Sequence, residues 1–422
     1  MKAMKDSDAE WLGSIPSQWE TMPLYRIFGE RKKRNIGFVE NNVLSLSYGS
    51  IVRRDVSDNM GLLPESFETY NVIEPSNIVL RLTDMQNDQR SLRTGLVKER
   101  GIITSAYLTL AKKSDADSRF FHYLLHTYDV MKIIYNMGNG VRQNLKYAEL
   151  SKLPMLVPGL GEQQRIADFL DAKSSQIDVI VEKQQQIIEK LKAYKQSVIT
   201  EAVTKGLDPT VPMKDSGVEW IGKVPQHWEI VKLKTYAKLK TGTTPSTSNQ
   251  EYFDGEYDWF TPSDFDDKLF LHESSRKLNY LAVENGLIPE FDAGSVLLIA
   301  IGATLGKSGY VNKKCSSNQQ ITAITPTQKI FGKFLGYYFK AMSHVIRDYA
   351  LYTTLPIINN LTLGAFKYAL PPMDEQECIA NYLDIECRQL ERCISKKVDL
   401  IAKLTDYKKS LIYEAVTGKI EV

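Results

Sequence analysis

The sequence predicts an α+β protein that is internally duplicated, with two α/β domains and two long helices that pair antiparallel as a coiled coil. Three observations carry this prediction: two sequence blocks that recur, a strand-rich segment inside each repeat, and two helical segments with heptad-like spacing. The chain has 422 residues, which is too long for one ordinary core, so two or three domains are expected.

The duplication rests on two blocks that recur in the same order. MKDSDAEWLGSIPSQWE at residues 4–20 returns as MKDSGVEWIGKVPQHWE at residues 213–229, with ten of seventeen positions identical. EQQRIADFLD from Glu162 returns as EQECIANYLD from Glu375, and the same offset of 213 relates KQSVITEAVT to KKSLIYEAVT. Chance similarity does not give two blocks in one order at nearly one offset, so a pseudo-two-fold arrangement is expected.

The segments between the repeated blocks, roughly 21–158 and 230–371, resemble each other only faintly. Each has β-branched apolar runs with turn-rich polar sequence between them: SNIVLRLTD and IITSAYLTL in the first, GSVLLIAIG and QQITAITP in the second. Such runs predict strands, so each insert is expected to be a small α/β domain. We expect four segments along the chain: 1–158, the first domain with its repeated segment; 159–206, a long helix; 207–371, the second domain with its repeated segment; and 372–422, a second long helix.

Each block after an insert predicts a helix of ~40 residues, or ~60 Å. Apolar positions alternate in steps of three and four, which is typical of a coiled-coil seam, and each seam has one polar slot. The first seam is expected to contain Ile177, Ile180, Gln184, Ile187, Leu191, Tyr194 and Val198. The second is expected to contain Leu390, Cys393, Lys397, Leu400, Leu404, Tyr407 and Leu411.

The alternative for these helices is the core of an ordinary bundle, but helices this long need a partner along their whole run. Because the second helix must return along the first in order to pair with it, the pairing is expected to be antiparallel. The two inserts would then lie at opposite ends of a rod.

Composition excludes some function classes. No run of 18 apolar residues exists, and the N-terminus lacks the apolar core of a secretory signal, so a cytoplasmic location is expected. The net charge of +2 neither indicates nor excludes nucleic acid, because acidic surface can offset a basic face.

Catalytic and metal-binding motifs are not found in a functional context. The string from Gly302 to Ser308, GATLGKS, has three residues between its glycines where a phosphate-binding loop needs four, and no helix start follows it. His122 and His126 lie four apart, but Tyr123 stands where a zinc protease needs glutamate. We therefore expect no catalytic residue and no metal site.

The repeated frame consists of three pairs of strings: WLGSIPSQWE and WIGKVPQHWE, EQQRIADFLD and EQECIANYLD, SVITEAVTKG and SLIYEAVTGK. The second insert adds TGTTPS, YFDGEYDWFTPSDF, GATLGKSGYV and SSNQQITAITP. In this order, the strings resemble the specificity (S) subunit of type I restriction–modification enzymes. The resemblance covers nearly the whole chain.

This resemblance implies a non-catalytic subunit of a multisubunit site-specific endonuclease and adenine methyltransferase. Each insert would be a target-recognition domain that reads one half of a split site in double-stranded DNA. The long helices would set the gap and dock two methyltransferase (M) subunits, and motor-nuclease (R) subunits would join them. S-adenosylmethionine would bind to M, and ATP and magnesium to R, so no cofactor is expected on this chain.

Candidate DNA-binding residues follow from the chemistry of base and phosphate contacts, in which Arg and Lys favour guanine, Asn and Gln favour adenine, and basic runs suit phosphates. The first insert offers Arg31, Lys32, Lys33, Arg34, Gln86, Asn87, Gln89, Arg90, Arg93, Arg142, Gln143 and Asn144. The second offers Lys240, Thr243, Thr244, Ser246, Lys307, Asn318, Gln319 and Gln320.

Two alternatives stay open from the sequence. The chain could be the specificity subunit of a related system in which a fused methylase–nuclease replaces separate M and R chains. It could also be an enzyme that acts alone on nucleic acid, although the missing motifs argue against that class.

Overall fold

The computed structural model describes residues 3–7, 9, 11–54, 66–85, 92–137, 144–266, 268–352 and 355–422. The chain packs into two compact units. Unit 1 is built from Met1–Gln184 together with Val398–Val422, and unit 2 is Gln185–Lys397. Packing therefore groups the chain differently from its linear order, because each unit contains part of both long helices.

Unit 1 is a mixed α/β assembly that contains the first part of the first long helix. Its elements, in chain order, are β1 (Met4–Asp6), β2 (Ser14–Pro16), β3 (Glu20–Pro23), β4 (Phe28–Glu30), β5 (Leu44–Ser47), β6 (Ser50–Arg53), β7 (Asn71–Ile73), β8 (Ile78–Leu80), β9 (Thr94–Leu96), β10 (Gly101–Ile103), β11 (Leu108–Lys112), α1 (Ser118–Val130), α2 (Tyr147–Leu150), β12 (Pro154–Val157) and α3 (Leu160–Lys205), of which residues 160–184 belong to this unit. Short 3-10 helices cover Leu24–Arg26, Phe67–Thr69 and Ile133–Met137.

Unit 2 follows the same plan. Its elements are β13 (Met213–Asp215), β14 (Lys223–Pro225), β15 (Glu229–Lys232), α4 (Leu233–Tyr236), β16 (Ala237–Thr241), β17 (Phe253–Phe260), β18 (Lys277–Leu278), α5 (Leu281–Glu284), β19 (Val296–Ile299), β20 (Ser308–Tyr310), β21 (Ser316–Ser317), β22 (Ile321–Pro326), α6 (Gly332–Ala341), α7 (Ser343–Asp348), β23 (Leu351–Tyr352), β24 (Pro356–Ile357), α8 (Asn360–Ala365), β25 (Lys367–Leu370) and α9 (Met373–Val416), of which residues 373–397 belong to this unit. Two 3-10 turns cover Gln250–Tyr252 and Pro262–Asp264.

A four-stranded antiparallel sheet is common to both units. Its strand order is β4-β11-β8-β9 in unit 1 and β16-β22-β19-β20 in unit 2, so equivalent strands occupy equivalent places. The inner strands β8 and β19 are buried along their whole length, which explains why their sequences are uninterrupted apolar runs. The predicted α+β class with internal duplication is thereby confirmed.

The end of a long helix packs against the repeated segment of each unit. In unit 1, Leu411, Ile412, Ala415 and Val416 of α9 join the core around Trp19. In unit 2, Ile199, Ala202 and Val203 of α3 join the core around Trp228. Just after each helix ends lies a glycine with a left-handed backbone, Gly418 with φ 71° and Gly206 with φ 78°, a conformation that favours glycine.

The beginning of a long helix is fastened to the preceding domain by equivalent polar contacts. Trp19 Nε1 donates to Glu162 at 3.1 Å, and Trp228 Nε1 donates to Glu375 at 2.9 Å. The Tyr123 hydroxyl donates to Asp171 at 2.7 Å.

The Tyr337 hydroxyl makes the same contact in unit 2, where it donates to Asp384 at 2.8 Å. The repeated EQQRIADFLD and EQECIANYLD blocks therefore include the residues that dock α1 and α6 onto α3 and α9. This docking explains why the two blocks are alike although the inserts differ.

The two long helices run antiparallel to each other. In unit 1, Lys408 of α9 pairs with Asp178 of α3 at 2.7 Å. In unit 2, Lys195 of α3 pairs with Glu391 of α9. The two ion pairs join equivalent positions of the duplicated sequence. At the offset of 213, Lys195 corresponds to Lys408 and Asp178 corresponds to Glu391.

The seam between the helices differs from the predicted one at alternate slots. Ile177, Gln184, Leu191 and Val198 of α3, and Leu390, Lys397, Leu404 and Leu411 of α9, are partly or fully buried. The other predicted seam positions are wrong by one residue. The residues predicted there are exposed: Ile180, Ile187, Tyr194, Cys393, Leu400 and Tyr407. Their neighbours take the inner positions, and these are Val181, Ile188, Lys195, Ile394, Ile401 and Lys408.

The displaced residues form an exposed apolar surface in each unit. In an antiparallel pair, the positions just before these inner slots flank the same side of the seam. We call Ile180, Leu400 and Tyr407 the apolar stripe of unit 1, and Ile187, Tyr194 and Cys393 the apolar stripe of unit 2. The side chain of Tyr194 is 58% exposed and that of Leu400 is 40% exposed, so the described parts of the chain leave both stripes uncovered.

In the part of the chain that the structure describes, no helix combines the length and the apolar character that a membrane crossing needs.

Candidate nucleic-acid interface

The clearest candidate surface is a loop cluster in unit 2. The loop after β16 is tied to the segment before β22, because Thr243 N donates to the Ser317 carbonyl at 2.9 Å. A Cβ on Gly242 would lie 2.2 Å from Ser317 Oγ and 2.3 Å from its carbonyl oxygen, so only glycine permits this approach. Two loops that are far apart in sequence therefore form one surface.

This cluster gathers most of the candidate residues of the second insert. Thr244 Oγ1 donates to Gln319 Oε1, while Asn318 Nδ2 donates to Gln320 Oε1 at 3.1 Å. Thr243, Gln319 and, on the same loop and strand, Ser246 and Lys240 are exposed. The surface therefore presents hydroxyl, amide and ammonium groups, which are the groups that recognise base edges and phosphates.

Sequence reasoning missed two residues at the edge of this cluster, Asn360 and Leu361. Asn360 Nδ2 donates to Thr241 Oγ1 at 3.0 Å, and its Oδ1 accepts from Thr322 Oγ1 at 3.1 Å. Leu361, the next residue, is 79% exposed. The available signal was the Asn359-Asn360 pair that opens α8, where the first asparagine caps the helix by accepting from Thr362 N at 2.8 Å.

Lys307 does not belong to the cluster. The Gly302–Ser308 string forms the turn of the β19–β20 hairpin, with Gly306 N donating to the Ile299 carbonyl at 2.9 Å. A hairpin is not the strand–loop–helix context of a phosphate-binding loop. Lys307 lines a cavity against the long helices, which it shares with Lys192 and Lys195.

In unit 1 the basic run Arg31 to Arg34 follows β4 as the Gly242 loop follows β16. The Arg31 guanidinium donates to Glu74 at 2.8 Å and to the Val72 carbonyl at 3.1 Å. Lys32 pairs with Glu30 at 2.9 Å. Lys33 and Arg34 are exposed, so these two side chains can reach a phosphate without breaking an internal ion pair of the described residues.

Two further loops of unit 1 are joined at their bases. Asn144 Oδ1 accepts from Asp84 N at 2.8 Å, and Leu145 N donates to the Leu82 carbonyl at 3.0 Å. The candidates on these loops, Gln86, Asn87, Gln89, Arg90, Arg142 and Gln143, lie outside the described residues. The structure therefore brings the loop ends together and says nothing about these six side chains.

Arg93 has a different place from the exposed loop position expected. It is 4% exposed, and its guanidinium donates to the carbonyls of Arg81, Thr83 and Asp84 at 3.1, 2.6 and 2.9 Å. A base contact would require the side chain to leave all three acceptors. We therefore assign Arg93 to holding the base of its loop and remove it from the candidate DNA-reading set.

The two histidines of α1 are packed into unit 1. Their rings stack with centroids 6.4 Å apart, and burial lowers the pKa of both imidazoles to about 4, with nearby lysines adding to the effect. Neither sits with other ligands, since the described residues contain no group of three or more His, Cys, Asp or Glu that could hold a metal ion.

Two frames of the same strand order, each followed by a long helix and each presenting its own loops, match one protein class. The family model described as "Type I restriction modification DNA specificity domain" matches residues 102–190 and 225–400. The chain belongs to this family. The two matched ranges fall one in each half of the duplicated sequence, as the predicted resemblance requires.

Individual relatives agree with this assignment. The type I restriction enzyme MjaVIII specificity subunit of Methanocaldococcus jannaschii is 22% identical over 97% of this chain and 94% of its own length. The MjaIX specificity subunit of the same organism is 29% identical, over 43% of this chain and 44% of that protein.

Solved structures show the same fold. One, from a study of the complex assembly and conformational transition of the type I R-M system, has a TM-score of 0.73 at 16% identity and covers 96% of this chain and 99% of that one. The HsdS subunit of Thermoanaerobacter tengcongensis has a TM-score of 0.53 at 16% identity over 96% and 98% of the two chains.

Proposed function

We propose that this chain is the DNA sequence-specificity subunit of a type I restriction–modification complex, in which each α/β domain reads one half of an asymmetric, two-part site. The observation that supports this most directly is the shared four-stranded sheet with different loops at equivalent places. A common frame presents both loop sets in the same way, whereas different side chains on the loops select different bases.

In unit 2, reading is assigned to the exposed loop cluster. Gln319 and Asn360 supply amides of the type that pairs with adenine, and Thr243 and Thr244 supply hydroxyls that accept or donate. The glycine at 242 holds the two loops close enough for one duplex groove to meet both.

In unit 1, Lys33 and Arg34 suit the sequence-independent contacts to phosphates, because both are exposed next to the sheet edge. Arg31 and Lys32 are already engaged with Glu74 and Glu30 and contribute less. The candidate base readers Arg90, Arg142 and their neighbours complete this half-site in the proposal.

The apolar stripes are proposed as the docking surfaces of two methyltransferase subunits, one for each unit. Exposed isoleucine, leucine and tyrosine at heptad spacing give an apolar contact area that an isolated soluble chain does not require. Because the stripes are equivalent by duplication, two copies of one partner can bind in the same way.

The chemistry of the complex is proposed to reside on its partners. S-adenosylmethionine would bind to the methyltransferase subunits, and ATP and magnesium to motor-nuclease subunits, while this chain supplies recognition and assembly. The chain alone is then expected neither to methylate nor to cut DNA.

A domain exchange tests the two-part reading. Replacing residues 21–158 by the equivalent domain of another specificity subunit should change one half of the methylated site and leave the other half unaltered. The reciprocal exchange of residues 230–371 serves as the matched control and should alter only the second half. Mapping of methylated adenines in cells that carry each hybrid gives the answer, and a change in both halves from one exchange would refute independent reading.

A further inference from the structure

Unit 2 contains a basic cavity that lies outside the loop cluster. It has a volume of about 650 Å³ and is bounded by the β19–β20 hairpin, by α6 and α7, and by the segments of α3 and α9 in that unit. Two carboxylates, Asp266 and Glu391, line it together with six cationic side chains: Lys192, Lys195, Lys268, Lys307, Lys340 and Arg347.

The two carboxylates neutralise only part of this charge. Glu391 is already paired with Lys195, and Asp266 lies 3.9 Å from Lys268. Within the described residues, Lys307 and Arg347 have no ion-pair partner, and the Arg347 Nε donates only to the Leu305 carbonyl at 3.4 Å. The cavity therefore has a positive potential that a bound anion would lower.

A buried hydroxyl points to the same conclusion. Ser308 lines the cavity, is 3% exposed, and its Oγ has no hydrogen-bond partner among the described residues. A buried hydroxyl normally has a partner, and a phosphate oxygen is an acceptor that this one can donate to.

The counterpart in unit 1 has a different character. Since Tyr123 and Tyr337 make the same contact, His126 of α1 corresponds to Lys340 of α6. The groove beside His126 has a volume of about 300 Å³ and is walled by Val130, Met131, Ile412 and Tyr413. The basic lining is therefore a property of unit 2 and not of the duplicated frame.

We propose that this cavity binds a phosphodiester group of the DNA backbone next to the half-site that unit 2 reads, on the side of the spacer. The inference rests on the proposed function. It is supported by the course of the turn between β19 and β20, at the start of which Ala300 N donates to the Gln320 carbonyl of the loop cluster at 2.8 Å. The same turn ends at Lys307 and Ser308, which line the cavity, so a DNA backbone that leaves the cluster towards the long helices passes the cavity.

The first test measures how binding depends on salt, using the complex of the full chain with its methyltransferase subunits and a duplex that contains both half-sites. Lys307→Gln and Arg347→Gln should weaken binding and reduce the slope of log K against log salt by about 0.9 for each phosphate that is no longer neutralised. Lys409→Gln, which removes a lysine that lines the unit 1 groove, is the matched control and should leave the slope unchanged.

The second test locates the phosphate. Neutral methylphosphonates are placed one at a time along the spacer, and the unaltered complex should lose affinity at one or two positions beside the half-site of unit 2. The Lys307→Gln complex should be insensitive at those positions only. Ser308→Ala should also reduce this sensitivity while the thermal midpoint stays the same or rises, because an unpaired buried hydroxyl has been removed; a fall in the midpoint would indicate a structural role and count against the proposal.

Other outcomes overturn the proposal in distinguishable ways. Equal affinity for every methylphosphonate duplex, with an increase in thermal midpoint on addition of inorganic phosphate, would assign the cavity to a free anion. Loss of methyltransferase assembly by Lys307→Gln, with no change in salt slope, would assign it to an acidic segment of a partner protein. Loss of all preference for the specific duplex in the unaltered complex would instead refute the proposed function itself.

Discussion

One glutamine near the start of each long helix ties that helix to the domain before it. Gln376 is fully buried, donates to the carbonyls of Lys329 and Pro371 at 3.0 and 2.9 Å, and accepts from Phe331 N at 2.8 Å. Gln163 makes equivalent contacts, donating to the Pro158 carbonyl at 2.8 Å and accepting from Asp117 N at 3.0 Å. One side chain thus satisfies several buried backbone groups at the junction.

Replacement of this glutamine should therefore be costly. Gln376→Ala leaves buried N–H and C=O groups unpaired and opens a small cavity, and we expect a loss of about 2–4 kcal/mol in the free energy of unfolding. Gln389→Ala, at an exposed position of the same helix, is the control and should change stability by less than about 0.5 kcal/mol. Urea unfolding of the full chain measures both, and equal values would show that the amide contacts are dispensable.

These roles were not visible in the sequence. The glutamines lie inside a recognised repeat, yet a polar residue in the first helical turn ordinarily faces water, and their partners Asp117 and Phe331 lie about 45 residues earlier. Arg93 shows the same limitation among the DNA candidates. The sequence does not distinguish an arginine whose guanidinium is exposed next to a loop from one that, like Arg93, donates to three backbone carbonyls.

At the scale of the helix, the sequence contained two competing seams. Spacings of three and four fit either Ile180 and Ile187 or their neighbours Val181 and Ile188, so hydrophobicity alone does not choose between them. At the third slot, hydrophobicity favours Tyr194 over Lys195, but the structure turns Lys195 inward because its ammonium pairs with Glu391 across the helices. The duplication repeats the same difference in α9, so the offset of 213 gives no independent check.

Adjacent isoleucines in α3 separate the two roles of the helix. Ile188 is 7% exposed at the seam, so Ile188→Ala should lower the free energy of unfolding by about 2–4 kcal/mol. Ile187→Ala, on the apolar stripe of unit 2, should leave stability within about 1 kcal/mol and instead weaken assembly with the methyltransferase subunit. Urea unfolding measures the change in stability, and analytical ultracentrifugation measures assembly. If Ile187→Ala lowered stability and Ile188→Ala weakened assembly instead, the seam that hydrophobic spacing predicts would be the correct one.

For the whole molecule, the linear pattern predicted the duplication and the long helices but not the composition of the compact units. Sequence segments are read in order, whereas each unit here is completed by a helix end that comes from the other half of the chain. This composition also decides where the helices can be lengthened. An insertion after Thr200 would separate Ile199 from Ala202, and both residues are part of the core of unit 2.

If the long helices set the gap between half-sites, the gap should follow their length. Seven residues inserted after Gln184 and another seven after Lys397 preserve the heptad register of both helices, because these positions correspond at the offset of 213. Each helix gains ~10 Å, which equals about three base pairs of DNA at ~3.4 Å each.

Methylation mapping should then find both half-sites unchanged and separated by about three more base pairs. Insertion into α3 alone is the control, and it should abolish activity because the Asp178–Lys408 and Lys195–Glu391 pairs can no longer form together along helices that differ by seven residues. If the protein with both insertions were fully active and the gap were unaltered, the length of the helices would not set the gap.

The closure of unit 1 by Val398–Val422 has a consequence for how the protein is made. The first domain emerges from the ribosome early. The apolar residues of α9 that complete its core around Trp19 are synthesised only after the whole of Gln185–Lys397. At ordinary elongation rates this delay lasts ~10–40 s, during which the nascent first domain exposes the surface that α9 will cover. A premature stop codon in the last part of the gene would therefore leave the core of unit 1 incomplete, although unit 1 is synthesised first. The core residues of unit 2 would remain intact.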